Sequence, residues 1–176
     1  MDIQQFLHEY NRGDRNFSNI HLHGVDLRAI ALSNINFSGS DLSSANLSDA
    51  NLSRANFSSA NLSDADLRGS DLSGANLQEA NLIGADLRRA SFVGADLAQA
   101  DLRSADLEGA DLSGANLAAV ALSGANFSYV NLAGACVSDV DLEGVDCEGT
   151  RLDELQSCQV SETTGTPRRW VSWGSH

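Results

Sequence analysis

The apolar positions of this chain keep a beat of five. From Phe17 every fifth residue is apolar through Leu152: Phe17, Leu22, Leu27, Leu32, Phe37, Leu42 and onward, twenty-eight positions without a slip. Twenty-one are Leu and five are Phe, with Val137 and Cys147 as the other two. Two residues before each from Leu22 on stands a small or β-branched residue, Ile20, Val25 and Ile30 first, then a series dominated by Ala from Ala45 to Ala115. Between the pair lies mostly Asn or Asp, as in Asn46, Asn51, Asp66 and Asp86.

Five suits neither regular element. At ~100° per residue, successive leucines on an α-helix would step ~140° and wander round the whole cylinder. On a flat strand an odd period sends alternate leucines to opposite faces. A composition rich in Ala, Ser, Asn, Asp and Gly reads as disorder, but a solvated tract has no reason to hold leucine in phase. A coil gathers the leucines. If each pentad forms one short side and then turns, Leu and the preceding Ala point inward on every side. The intervening Asn or Asp suits the turn, because it tolerates left-handed geometry and bonds nearby backbone. Ser and Gly dominate the last two positions, which should face water.

Four sides close a square of twenty residues. At that spacing Phe17, Phe37 and Phe57 share one inward column, and Arg28, Arg68 and Arg88 share an outward one. Leu87, Phe92 and Phe127 are further expected core residues. The unit Ala-(Asn/Asp)-Leu-x-x resembles the pentapeptide repeat family, over roughly residues 15–154. The resemblance implies an all-β fold, a right-handed quadrilateral β-helix of about seven coils. At ~4.8 Å per coil such a rod is about 34 Å long. In character the chain is similar to the family's cyanobacterial members.

A rod of stacked coils needs covers at its ends. Ile3, Phe6, Leu7 and Tyr10 follow an i, i+3, i+4, i+7 pattern, with Asp2 as N-cap and Gly13 past the end. Residues 1–14 are therefore expected to hold a short helix on the first coil. Residues 155–176 break the beat and carry Pro167, Trp170 and Trp173. Trp170, Val171 and Trp173 are too apolar for a free tail: they cover the last coil or meet a second copy, which leaves a homodimer through an end coil open.

The net charge of −13 over 176 residues, with eleven arginines and no lysine, disfavours a basic nucleic-acid face and removes lysine-dependent chemistry. The sequence contains no run of about 18 apolar residues and therefore no membrane span. The first ten residues lack a basic region before an apolar stretch, so no secretory leader is expected, and the chain is expected to be cytoplasmic with three free thiols.

Candidate chemistry is sparse. His21 and His23 form an H-x-H pair near Asp41 by register, and two solvated histidines explain them better than a metal. Cys136, Cys147 and Cys158 are spaced by elevens, with Cys147 at a core position and the other two as ordinary thiols. Neither a catalytic constellation nor a cofactor is expected.

Charge offers the sharper signal. Asp66, Asp86 and Asp106 share a column, screened in part by Arg68 and Arg88. From Asp106 to Glu154 ten acids (Asp106, Glu108, Asp111, Asp139, Asp141, Glu143, Asp146, Glu148, Asp153 and Glu154) face one base, Arg151, with no arginine column to offset them. These ten form the candidate acidic interaction surface.

Two functions follow. The first is a non-enzymatic scaffold whose faces present Ser, Asp, Asn and Arg to a protein partner. The alternative comes from the resemblance: the family includes gyrase-protecting, Qnr-type members, implying a rod that mimics duplex DNA towards a topoisomerase. DNA carries a charge per ~1.7 Å, so a 34 Å rod would need about 20 negatives. Residues 15–154 have a net charge of −12, which falls short. The last ~12 Å would need about 7 and carries −9, so mimicry is confined to the C-terminal end.

Overall fold

A computed structural model describes residues 2–158. Its central feature is a parallel pairing of sides twenty residues apart: Asn16 with Asn36, His21 with Asp41, Asp26 with Asn46, and so on unbroken to Asp111 with Asn131, then Asn116 with Cys136 and Asn126 with Asp146. A constant step of twenty makes each coil four pentads, so residues 15–154 wind seven coils. Each side is so short that in most of them a single residue bridges before the chain turns. Strand proper develops only near the end, where β1 (Asn116–Ala118), β2 (Cys136–Ser138) and β3 (Gln156–Ser157) form a parallel sheet in that order.

The repeat is explained by where its backbone N–H groups go, since buried donors must be paired. In the pentad from Asn46, the Asn46 N–H donates to Val25 O (2.8 Å) and the Leu47 N–H to Asp66 O (2.7 Å). Asp49 N–H donates to Arg68 O (2.8 Å), and Ala50 N–H closes the turn on Leu47 O (3.2 Å). One donor remains, the N–H of Ser48, and it meets Asn46 Oδ1 at 3.1 Å. All five are satisfied. Three tie one coil to its neighbours, one closes the corner, and the last needs a side-chain oxygen two residues back. That requirement selects Asn or Asp.

The left-handed residue is not that Asn or Asp, contrary to the sequence expectation. Positive φ falls instead two residues after each leucine, as at Ser44 (55°), Asp49 (57°) and Arg54 (57°). The third position of a type II turn requires it. Where coils stack closely the corner takes glycine: Gly69 has φ +64°, and a Cβ there would lie 2.6 Å from Asp49 Oδ1.

Inside, the columns are sealed from Phe17 to Leu132, with Leu87 and Phe92 fully buried and Phe127 at 2% exposure. Phe17, Phe37 and Phe57 stack in one column, with neighbouring centroids 6.3 and 5.7 Å apart. Helix α1 (Ile3–Asn11) lies on this column's N-terminal end. Asp2 caps it by accepting from the Gln5 N–H at 2.8 Å. Phe6 is wholly buried, 4.7 Å edge-on from Phe17 and 5.7 Å from Phe37. Ile3, Leu7 and Tyr10 pack on the core edge, and the Tyr10 hydroxyl donates to Ala31 O at 2.7 Å.

The other end is looser. Val137, Leu142 and Cys147 are only partly buried, and Leu152, the last residue on the beat, is 38% exposed and begins a 3-10 turn, Leu152–Glu154. The strict beat therefore outruns the sealed core by one coil. Residues 159–176, with Trp170, Val171 and Trp173, lie outside the described residues.

Candidate interaction surface

Many outward side chains are held by local hydrogen bonds. Every Asp or Asn that precedes a beat residue, from Asn16 to Asp146, accepts the N–H two residues on, which pins its carboxyl or amide against the turn. The amides also reach across coils: Asn61 donates to Asp41 (3.2 Å), Asn116 to Asp96 (3.0 Å) and Asn126 to Asp106 (3.0 Å).

Where Asp stacks on Asp there is no amide to donate, and arginine takes its place. Arg68 bonds Asp66 at 2.5 Å and reaches Asp86 in the next coil at 3.5 Å. Arg88 repeats the pattern one coil on, 2.6 Å from Asp86 and 3.6 Å from Asp106. These hydrogen bonds hold the Asp66 and Asp86 carboxyls below the ordinary range, and in return they raise both guanidiniums. The result is a ladder of alternating charge along one side. Beside it lies a shallow hollow of about 420 Å³, lined by Ser48, Asp49, Arg68, Arg88, Arg89 and Glu108.

The ten C-terminal acids do not make one face. Asp106, Asp146, Glu108 and Glu148 fall on the side that carries the ladder, Asp141 and Glu143 on a second, Asp111, Asp153 and Glu154 on a third, and Asp139 at a corner. They form a collar. Nor are all of them unscreened, as the sequence suggested. Arg88 reaches Asp106, and Arg151 bonds Glu154 at 2.7 Å and Asp153 at 3.5 Å. Asn131 donates to Asp111 at 3.0 Å, and the Tyr129 hydroxyl donates to Glu148 at 2.8 Å. Asp139, Asp141 and Glu143 instead line an open hollow with Ala119–Ser123.

The remaining chemistry is structural. His21 bridges Asp41, and His23 Nδ1 lies 2.8 Å from Ser43 Oγ. The Ser43 hydroxyl and N–H hold Asp41 below the usual carboxylate range. Among the described residues no group of His, Cys, Asp and Glu is arranged to hold a metal ion, and no helix is long and apolar enough to cross a membrane.

The thiols require a correction. Cys136 and Cys158 form a disulfide, with Cα atoms 4.7 Å apart, leaving Cys147 as the free cysteine. The sequence spacing hid this pairing because 22 is one coil plus two residues, so β3 brings Cys158 alongside Cys136. The bond overturns the expectation of three free thiols. Two further devices went unread. Ser40 Oγ bridges the Ile20 N–H (3.2 Å) and Phe17 O (2.8 Å), and Thr150 Oγ1 does the same for the Val130 N–H and Phe127 O. Each hydroxyl lies twenty-three residues after a phenylalanine, a signal that was available in the sequence.

The family described as Pentapeptide repeats matches in eight copies, over residues 20–58, 35–74, 70–109, 80–117, 105–144 and 121–154. Among solved structures the chain is similar to HetL, a pentapeptide repeat protein involved in heterocyst differentiation regulation from the cyanobacterium Nostoc sp. strain PCC 7120. The identity is 27% over 89% of this chain and 94% of that one, with a TM-score of 0.43. It is similar also to Rfr23 from the cyanobacterium Cyanothece 51142, at 25% identity over 84% of this chain and 100% of that one, TM-score 0.31. Full-length QnrB1, a plasmid-mediated fluoroquinolone resistance protein, is 21% identical over 81% of this chain and 93% of that one, TM-score 0.38. No curated protein matches the chain.

Proposed function

The chain belongs to the pentapeptide repeat family, and from that premise we propose that it is a non-catalytic β-helical scaffold that docks a protein partner on a rigid charged side. One observation carries the reading: the ladder Asp66–Arg68–Asp86–Arg88–Asp106, in which each guanidinium joins two coils. Its side chains are held by hydrogen bonds in the free protein, so a partner with complementary charge would bind without the ordering cost that mobile arginines and carboxylates exact. Such pairing favours partner choice and encounter rate over raw affinity, and it weakens with salt.

The test compares partners captured from the native organism by three baits: wild type, Arg68→Glu/Arg88→Glu, and a control double substitution on another side, Ser53→Glu/Ser73→Glu. A partner lost specifically from the ladder variant, and lost from wild type as salt rises, supports the reading. Equal capture by all three baits, with all three folded, overturns it.

A second reading is favoured by the collar, where the last two and a half coils carry −9. It makes that end a DNA-like surface for a topoisomerase. Supercoiling by gyrase, measured with and without a quinolone, decides it: neither inhibition nor protection at micromolar protein removes this reading and leaves the first standing.

A further inference from the structure

The shallow hollow beside the ladder is framed by three guanidiniums, Arg68, Arg88 and Arg89, and Gly69 leaves part of its lining without a side chain. Each ladder arginine spends two nitrogens on its own aspartate. Nε and Nη2 of Arg68 donate to Asp66 at 2.9 and 2.5 Å, and those of Arg88 donate to Asp86 at 2.8 and 2.6 Å. Among the described residues Nη1 of neither arginine has a partner, and the Arg89 guanidinium forms no hydrogen bond or ion pair at all. Its stem is nonetheless placed, with Cγ 3.7 Å from where a Cβ on Gly109 would lie, one coil on. Asp66 and Asp86 are neutralised by their own arginines, so the charge left over at the middle of the hollow is that of Arg89. Asp49 and Glu108 line its two ends, three coils apart, about 14 Å at ~4.8 Å per coil. Along the rod the order is minus, plus, minus.

We propose that this hollow seats an extended protein segment bearing a carboxylate with a basic residue two positions away on each side. The carboxylate meets Arg89 and the unspent Nη1 groups of Arg68 and Arg88; the two cations meet Asp49 and Glu108. The inference rests on the reading that this side docks a protein partner, and it names the chemistry the partner must carry. Donor geometry selects the carboxylate, because a guanidinium fork matches its two oxygens and Arg89 has its whole fork to offer. Spacing selects the flanks. In a strand, residues two apart share a face at ~3.3 Å per residue, so the outer cations lie about 13 Å apart, close to the separation of the two acids. Charge rejects the simpler occupants. A wholly acidic segment would set its outer charges against Asp49 and Glu108, and a wholly basic one would set a cation against Arg89. At long range the net charge of −13 draws in a basic segment, while at contact the three arginines demand an acid at its centre.

The experiment compares two short peptides on the full chain, one with the core arginine-serine-glutamate-serine-arginine and one with glutamine in place of the glutamate. Each carries a neutral dye, and binding is followed by anisotropy at low salt. Attraction by net charge alone ranks the glutamine peptide first, because it is the more cationic. The hollow reverses that order, and the glutamate peptide should bind several-fold more tightly. Arg89→Gln should erase the preference with far-UV dichroism and melting temperature unchanged, since the Arg89 side chain is exposed and pairs with nothing among the described residues. A glutamine peptide that binds as well as the glutamate one overturns the proposal. So does a preference that survives Arg89→Gln, and so does the absence of binding by either peptide up to millimolar concentration. Because Arg89 lies outside the ladder, the two readings fail separately. Any of these failures, with a partner still lost from Arg68→Glu/Arg88→Glu, overturns the hollow and leaves ladder docking in place.

Discussion

Asn56 Oδ1 accepts a hydrogen bond at 3.0 Å from the backbone N–H of Ser58, two residues along. The contact recurs through the rod, and Ala121 is a place where it is missing. Above Asp101, Ala121 offers no side-chain acceptor to the turn that follows. Ala121→Asn should supply one, and its amide would sit over Asp101 as that of Asn116 sits over Asp96. A gain of about 0.5–1.5 kcal/mol is expected, and Asn56→Ala should cost about as much. Urea midpoints check both; an unchanged or lower midpoint for Ala121→Asn would count against the five-donor account of the repeat.

Leu87 is wholly buried halfway along the rod. Leu87→Ala should cost about 2–5 kcal/mol. Leu87→Asp places an unpaired charge there and should unfold the chain or divide the rod, because each coil is supported only by its neighbours. A melting temperature unmoved by Leu87→Asp would refute the inward columns.

Acid should weaken the ladder, and the sign follows from the shifts. Asp66 and Asp86 are held below the ordinary carboxylate value of 3.8 by Arg68 and Arg88. Their contribution is fully present above that value and is lost as pH falls through the depressed one. The arginines are 52% and 42% exposed, so solvent screening keeps the contribution of each pair small. In Arg68→Gln/Arg88→Gln the stacked carboxylates repel instead, so falling pH should relieve them and the loss below pH 4 should shrink or reverse. Parallel acid titrations of stability in the two proteins would expose the error.

The disulfide closes a separation of 22 residues around the last coil. In the unfolded chain such a link restricts roughly 3 kcal/mol of entropy. Reduction should therefore open the segment containing β2 and β3 while leaving the coils from Phe17 to Leu132 intact. Hydrogen exchange read by peptide should show protection lost C-terminal to about residue 135. Alkylation should label Cys147 slowly before reduction, since burial raises its thiol. All three cysteines should label after reduction and unfolding. Prompt labelling of Cys136 in unreduced protein would contradict the pairing.

Much of the rod is written in the sequence because period and side are the same quantity. A residue's place in its pentad decides whether it faces the core, and its place in twenty decides which side it occupies; Phe17, Phe37 and Phe57 need nothing more to meet. The N-terminal helix is legible for a similar reason, since Phe6 and Tyr10 obey a local period and Asp2 a local capping rule.

What the sequence left open depends on reach and on stacking between coils. A five-residue repeat determines which residues look outward, yet Arg88 meets Asp106 only because a long guanidinium spans one coil spacing. The same holds for Cys158, delivered beside Cys136 by a strand that continues after the beat has failed, and for the open hollow at the last coil. Local pattern specifies a direction for each side chain. Only the stacked coils bring those directions within bonding distance, and only their packing decides that the core columns, sealed as far as Leu132, are partly exposed at Val137, Leu142 and Cys147.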